Sequence, residues 1–570
     1  MREIVVADFE YEVSPGERPV PVCCVAHELY SGRRFRLMAP LPKVPPWQVG
    51  ADVLFVAYFA SAELGCYKIL NWPPPPRILD LFAEFRLLTN GFKVDRSLLS
   101  ALAYFGLDHV GASEKRELQQ MIGSGAWRGV IDPETILSYC EEDVRATTRL
   151  LCAMWPKIDL PRALLRGRYM SAVSAMEHNG VPIDTVMLHR VRTGMSDIKH
   201  QLIERIDQRF GVYENGSFRG HLFEAWCERT GTPWPRDPET GRLILDDDTF
   251  GDMAKIFPVI TPLKELRASL ADLRLNSLAV GRDGRNRTLI SPFGARSGRN
   301  TPSNAKFIFG PARWIRALIK PPEGHAVAYI DWKSQEIGIA AALSGDANLK
   351  AAYRSGDVYL AFGKQCGGLP ADATKATHEA ERELYKTCVL GVGYGLGAFG
   401  LARKLNAPPI IGRDLLAAHK ETYPTFWRWS DGAVDKAMLN GRLVASFGWT
   451  INVDSDPNPR SLRNFPAQGN AAEMLRLACC LATERGIEVC APIHDALLIL
   501  SPLDRIEADV AATRKAMAEA SELVLPGFPL GTDVTIVRYP DRYMDRRGEG
   551  MWQTVKELLD QAPAAEKAIA

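Results

Sequence analysis

Arg382, Lys386, Leu390 and Tyr394 follow one another at steps of four in the stretch RELYKTCVLGVGYG at 382–395. On a helix that spacing places them along one slowly turning stripe. The stripe offers two cations, then an apolar residue, then an aromatic ring. A nucleoside triphosphate carries its charge at one end and a flat base at the other, so it can lie along such a stripe. Two aspartates supply complementary chemistry. Asp331 ends an apolar strand, AVAYIDW at 326–332, and Asp495 sits at the turn between two β-type runs in IEVCAPIHDALLIL at 487–500. A carboxylate at the end of a buried strand needs a cation to offset its desolvation. Two of them converging would hold divalent metal, and two metals about 3.5–4 Å apart are the standard device for in-line phosphoryl transfer.

A second constellation lies near the N-terminus. Asp8 and Glu10 are two residues apart on one face of a strand. Tyr139 and Asp143 are four apart in SYCEEDVRATTRLL and share a helix face. Three carboxylates from a strand and a helix can hold two metals, with the tyrosine orienting an attacking water.

The elements that must position these groups follow from the hydrophobic pattern. Runs at 3–7, 21–29 and 51–59 predict buried strands, Pro73 to Pro76 a stiff connector, and 138–155 a helix. Strands alternating with helices predict an α/β domain to about residue 155. From 165 to 275 the pattern is mainly helical, with a helix stop at Asn179-Gly180. A basic, turn-filled stretch occupies 281–305, then come a strand at 326–332, a helix at 334–352, the stripe, and two short strands meeting at His494-Asp495. The Ala-rich end beyond 561 is expected to fray.

With 570 residues, 46% of them hydrophobic and 24% charged, the chain can build about three or four ordinary globular domains. No apolar run reaches the roughly 18 residues of a membrane span. The first residues lack the apolar centre of a signal peptide, so a cytoplasmic protein with no membrane partner is expected. The eleven cysteines show no zinc-type spacing and are read as reduced core thiols. A net charge of +1 does not exclude a nucleic-acid enzyme whose basic residues line one groove.

Together these stretches resemble family A DNA polymerases, the bacterial polymerase I class, and most closely its bacteriophage members. DWKSQEIGIAAALSGD at 331–346 looks like that family's motif A, RELYKTCVLGVGYG like motif B with its R-x3-K-x7-YG spacing, and PIHDALLI at 492–499 like motif C. DGR at 283–285, SGRNTPSNA at 297–305 and RNFPAQGNAAEM at 463–474 support the match, which covers roughly 165–545 in family order. The N-terminal constellation resembles the DEDDy class of 3′–5′ exonucleases. Its fourth carboxylate is open between Glu63, in FASAEL, and Asp80, in RILDLF.

The resemblance implies an α/β multidomain chain, an RNase H-like exonuclease domain followed by a right-hand polymerase of thumb, palm and fingers. The implied divisions are 1–160 exonuclease-like, 161–300 thumb and palm entry, 301–346 palm with motif A, 347–450 fingers with motif B, and 451–570 palm with motif C and the tail. It implies Asp331 and Asp495 as ligands of two Mg2+ ions, replaceable by Mn2+, and Asp8, Glu10 and Asp143, with Glu63, as the exonuclease metal site beside Tyr139. Arg382 and Lys386 would hold the triphosphate, Lys386 also protonating the leaving pyrophosphate. Gln335, Glu336, Leu390 and Tyr394 would complete the nucleotide site, Glu336 standing where a ribose 2′-hydroxyl would project. Arg299, Asn304, Gln468 and His494 would contact DNA, Arg299 and Gln468 through minor-groove acceptors shared by all correct pairs. The implied partners are primer-template DNA and dNTPs, bound by a monomer, with no helical-arch 5′ nuclease and an unidentified processivity factor.

Three positions depart from the family pattern. Ala496 follows Asp495 where the family has Glu, Leu390 replaces Phe or Tyr, and Gly338 replaces Arg. They leave open a polymerase scaffold with altered chemistry or exonuclease activity alone. A single-subunit RNA polymerase is opposed by Glu336 and by the N-terminal domain.

Overall fold

The computed structural model describes residues 2–107, 112–273, 275, 277–310 and 312–561, so the end expected to fray lies outside the described residues. The chain forms two compact units. One comprises Met1–Gly180, Leu289–Thr301 and Val327–Ile536; the other comprises Val181–Thr288, Pro302–Ala326 and Val537–Ala570.

The first unit begins with a mixed five-stranded sheet. β1 (Glu3–Glu12), β2 (Val20–Glu28), β3 (Arg34–Met38), β4 (Val53–Ala57) and β5 (Ile78–Asp80) lie in the order β3-β2-β1-β4-β5. β1 is antiparallel to β2 and parallel to β4. Every residue of β4, VLFVA, is buried, the composition a strand covered on both faces requires. The accompanying helices are α1 (Ala60–Ile69), α2 (Leu81–Thr89), α3 (Leu98–Tyr104), α4 (Ala112–Ser124), α5 (Pro133–Met154) and α6 (Leu160–Asn179). α5 starts with Pro133 in its first turn and buries Ile136, Cys140, Val144, Thr147 and Leu151, a stripe at steps of three and four, in the same core as the sheet. α6 stops at Gly180, whose φ of 66° suits glycine.

The second unit contains β6 (Val181–Pro182), α7 (Thr185–Asp207), β7 (Tyr213–Glu214), β8 (Ser217–Phe218), α8 (Gly220–Thr230), α9 (Asp247–Ile256), α10 (Thr261–Asp272) and β9 (Arg285–Asn286), which pairs with β6. Its core includes Phe210, Phe223, Trp226 and Phe250. The β7–β8 hairpin interrupts the helical run expected there. Asn215 and Gly216 both take positive φ, 50° and 71°, as a two-residue hairpin turn demands.

The first unit resumes with β10 (His325–Trp332), followed by α11 (Gln335–Ser344), α12 (Ala347–Arg354), α13 (Val358–Gln365), α14 (Glu379–Gly393), α15 (Ala398–Leu405), α16 (Pro409–Thr422) and α17 (Pro424–Asn440). A hairpin of β11 (Arg442–Val444) and β12 (Thr450–Asn452) leads to α18 (Pro459–Glu484), β13 (Glu488–Ile493), β14 (Ala496–Pro502), α19 (Ile506–Val524) and β15 (Thr532–Arg538). The second sheet has the order β13-β14-β10-β15. The helix expected over 334–352 is in fact two, broken at Gly345 with φ 71°, after which the Asp346 side chain caps α12. α18 buries every residue from Gly469 to Cys480. The last helix, α20 (Glu549–Gln561), packs on α7 in the second unit. All eleven cysteines are free.

Candidate active sites

β10 and β14 are neighbours in the second sheet, and their ends carry the two aspartates. The Trp332 amide donates to the Asp495 carbonyl at 3.1 Å. Asp495 and His494 are the two turn residues between β13 and β14, whose register pairs Ile493 with Ala496. His494 takes a φ of 42°, a left-handed conformation that closes the hairpin. After Asp331 the chain turns through Ser334 at φ 45° and enters α11. Burial, then the charge of Asp495, then that of Asp533 lift the Asp331 carboxyl to about 6. Burial also raises Asp495. Asp533, on β15, is paired with Lys333 at 3.1 Å.

α14 carries the cationic stripe, with Tyr394 as its C-terminal cap residue. Arg382 Nε donates to Asp357 Oδ2 at 2.6 Å, and its Nη1 to Glu383 Oε1 at 3.0 Å. Lys386 Nζ donates to Glu383 at 2.9 Å. Leu390 and Tyr394 line a cavity of about 760 Å³ with Glu336, Asn464, Trp427 and Trp429. Glu336, in the first turn of α11, accepts a hydrogen bond from Arg299 Nη2. Gln335 beside it is buried, and neither its Nε2 nor its Oε1 has a hydrogen-bond partner among the described residues. Gln468 is half-buried on α18, four residues after Asn464. Asn304 is exposed in the second unit.

Two of the three departures have local explanations, and nothing in the structure explains Leu390. A Cβ on Gly338 would meet Leu530 at 2.6 Å and Tyr353 at 2.8 Å, so α11 has no room for an arginine there. Ala496 is fully buried at the start of β14, where a carboxylate would be desolvated.

In the N-terminal sheet, Asp8 and Glu10 face α5. Among the described residues, ligand oxygens of Asp8, Glu10 and Asp143 all lie within 4.8 Å of one another. Burial, then Asp8, Cys23 and Asp143 push the Glu10 carboxyl well up. Tyr139 hydrogen-bonds Asp143, and burial followed by that charge raises its phenol. Glu63 is buried on α1 and hydrogen-bonds Asp8; burial, then the Asp8 charge, push its carboxyl well up. Asp80 does other work: its oxygens accept from the amides of Ala60 at 2.7 Å and Ala83 at 2.6 Å, capping α2. Of the two candidates for a fourth carboxylate, Glu63 is the one that touches the cluster. Cys140, next to Tyr139, adds a contact the sequence did not flag, its thiol donating to Asp8 Oδ2 at 3.3 Å.

Asn464 was legible in retrospect, one helical turn before Gln468. Trp427 and Trp429 carried no spacing signal of their own.

Both carboxylate groups offer only oxygen donors, the ligand set of a hard divalent cation such as Mg2+. Residues 238–538 match the family described as DNA polymerase family A. The DNA polymerase I of Chloroflexus aurantiacus is 25% identical over 452 residues, 72% of this chain and 47% of that protein. The thermostable DNA polymerase I of Thermus aquaticus is 24% identical over 417 residues, 68% of this chain and 50% of that protein. The chain thus spans about half the length of these curated relatives. The POL domain of Pol1 from M. smegmatis, solved in complex with DNA primer-template and dNTP, has a similar fold, with a TM-score of 0.74 at 18% identity over 94% of this chain and 95% of that one. Among the described residues no helix is long and apolar enough to cross a membrane.

Proposed function

The chain belongs to DNA polymerase family A, and from that premise we propose that it extends a DNA primer on a template with dNTPs and shortens mispaired 3′ ends at a separate exonuclease site. The observation that carries the polymerase reading is the pairing of Asp331 and Asp495 at neighbouring strand ends, together with a helix that presents Arg382 and Lys386. Asp331 and Asp495 would hold divalent metal at one site, and Asp8, Glu10 and Asp143, backed by Glu63, at the other. When bound, paired Mg2+ ions supply charge stabilisation for in-line attack and departure at phosphorus.

The protein's own groups account for the rest. Arg382 and Lys386 exchange their carboxylate partners for triphosphate oxygens, and Lys386 can give a proton to departing pyrophosphate. Leu390 and Tyr394 flank the base and sugar, with Glu336 crowding the 2′ position. Arg299 and Gln468 read minor-groove acceptors of the primer end, and His494 steadies that end. At the second site Tyr139 orients a water toward the scissile phosphate. Affinity for primer-template comes mostly from phosphate contacts and falls with salt. The resemblance of its motifs to the family's bacteriophage members supports a role in phage genome replication.

Primer extension with magnesium and dNTPs, beside Asp495→Asn, tests the assignment. Growth of the primer that the variant abolishes is expected. Absence of growth with intact shortening in a reaction lacking dNTPs would leave an exonuclease alone. Preference for NTPs over dNTPs would favour an RNA polymerase.

A further inference from the structure

The loop at 293–300 contains no helix or strand, yet it carries Arg299. Its course is fixed by side chains that hold its carbonyls one after another. Arg86 donates to the carbonyls of Phe293 and Gly294, both at 3.3 Å. Asn90 Nδ2 donates to the carbonyl of Arg296 at 2.7 Å, and Trp449 Nε1 reaches the same oxygen at 3.0 Å. Arg476 Nη1 holds the carbonyl of Gly298 at 2.8 Å.

Arg86 and Asn90 come from α2 and its C-terminal cap, in the N-terminal sheet region. Both are buried, at 4% and 0% exposure. Asn90 spends its amide on the polymerase half: besides Arg296 it donates to the carbonyl of Thr450 at 2.7 Å, tying the loop to β12. Its own carbonyl accepts from the Asn452 amide at 2.8 Å. Gly91, at φ 107°, approaches so closely that a Cβ there would sit 2.1 Å from the Asn452 carbonyl oxygen. None of these groups belongs to the carboxylate cluster of Asp8, Glu10 and Asp143.

We propose that Arg86 and Asn90 are positioning residues for Arg299, so that reading of the primer end depends on the N-terminal domain whether or not that domain cleaves DNA. The proposal rests on the assignment of Arg299 to the primer-template minor groove. Only two residues separate Arg296, whose carbonyl Asn90 holds, from Arg299. Without Asn90 that carbonyl keeps only the Trp449 indole and the loop loses its tie to β12, which lets the guanidinium drift from both Glu336 and the groove; a drift of about 1 Å at a positioning group costs on the order of 10²-fold in rate.

The test is a double-mutant cycle on single-nucleotide extension, comparing Asn90→Ala, Arg299→Ala and the double variant, with kcat/KM measured on matched and mismatched primer ends. Asn90→Ala is expected to lose roughly tenfold or more on matched ends, to narrow the matched-to-mismatched ratio, and to add nothing once Arg299 is gone. Losses that multiply in the double variant, or an Asn90→Ala enzyme that extends and discriminates as wild type, would overturn the proposal while leaving Arg299 in its role. Normal extension and discrimination by Arg299→Ala would instead remove the minor-groove assignment and the proposal with it. If Asn90→Ala does not fold, Arg86→Lys, which keeps the charge but shortens the fork, carries the same cycle with the same outcomes.

Discussion

Asp331 is set beside Asp495 by one rung of the β10–β14 ladder, the Trp332 amide donating to the Asp495 carbonyl at 3.1 Å. Burial, then the Asp495 charge, lifts the Asp331 carboxyl from 3.8 to about 6. A carboxyl whose folded pKa exceeds its unfolded value favours the fold below the unfolded value and loses that contribution as pH rises through the folded one. The window here runs from 3.8 to about 6, and above it the metal-free protein carries a crowded, poorly solvated charge. Asp331→Asn should therefore melt above wild type at neutral pH in chelator, the two converging near pH 4. Millimolar magnesium should raise the wild type more than the variant, which keeps the Asp8, Glu10 and Asp143 cluster. Calorimetry across that pH range checks both, and a variant that melts below wild type at neutral pH would contradict the crowding.

Glu63 and Asp80 separate by what their oxygens do. Asp80 is spent on two amides, so Asp80→Ala should cost about 1–2 kcal/mol of stability through the lost cap. Glu63 touches Asp8 and caps nothing. Glu63→Gln should keep the melting temperature within a few degrees and slow shortening of a single-stranded oligonucleotide by tenfold or more, on the scale of lost support to a metal ligand. Melting curves and a digestion time course on both variants decide the assignment; equal digestion by Glu63→Gln and wild type would remove Glu63 from the site.

Most of what positions these groups could be read from local pattern. Asp331 and Asp495 stood out because apolar runs ended on them, and the alternation of β1 placed Asp8 and Glu10 together. The β7–β8 hairpin was written in Asn215-Gly216 but hidden by helical sequence on both sides. The break at Gly345 was written in Ser344-Gly345-Asp346, a glycine stop followed by an aspartate cap. What no window could show was long-range polar partnership. Asn90 and Thr450 are 360 residues apart, and Arg86 and Phe293 are 207 apart. Neither pair has a periodicity, because each is made by tertiary packing alone.

Arg382 and Lys386 share Glu383, and Arg382 also holds Asp357. A triphosphate must displace these carboxylates. Glu383 is half-exposed, so its hold is weak, on the order of a few tenths of a kcal/mol. Glu383→Gln should lower the KM for dNTP about twofold with kcat little changed, the effect fading in high salt. Steady-state extension at low and high ionic strength measures it, and an unchanged or raised KM at low salt would show that Glu383 does not compete with the nucleotide.

Glu84 on α2 and Arg166 on α6 form a two-pronged pair at 2.6 and 2.8 Å, with side chains only 3% and 5% exposed. Little solvent reaches either group to replace a lost partner. Glu84→Gln keeps the shape and one acceptor but leaves a guanidinium buried against a neutral amide, a change of the kind that costs about 3–5 kcal/mol. Replacing both partners together, Glu84→Leu with Arg166→Met, removes the stranded charge and should recover much of that loss, because the pair's attraction was largely offset by its own desolvation. Urea unfolding of the single and double variants gives the comparison. A double variant no more stable than Glu84→Gln would mean that the pair holds α2 against α6 by geometry that apolar side chains cannot reproduce.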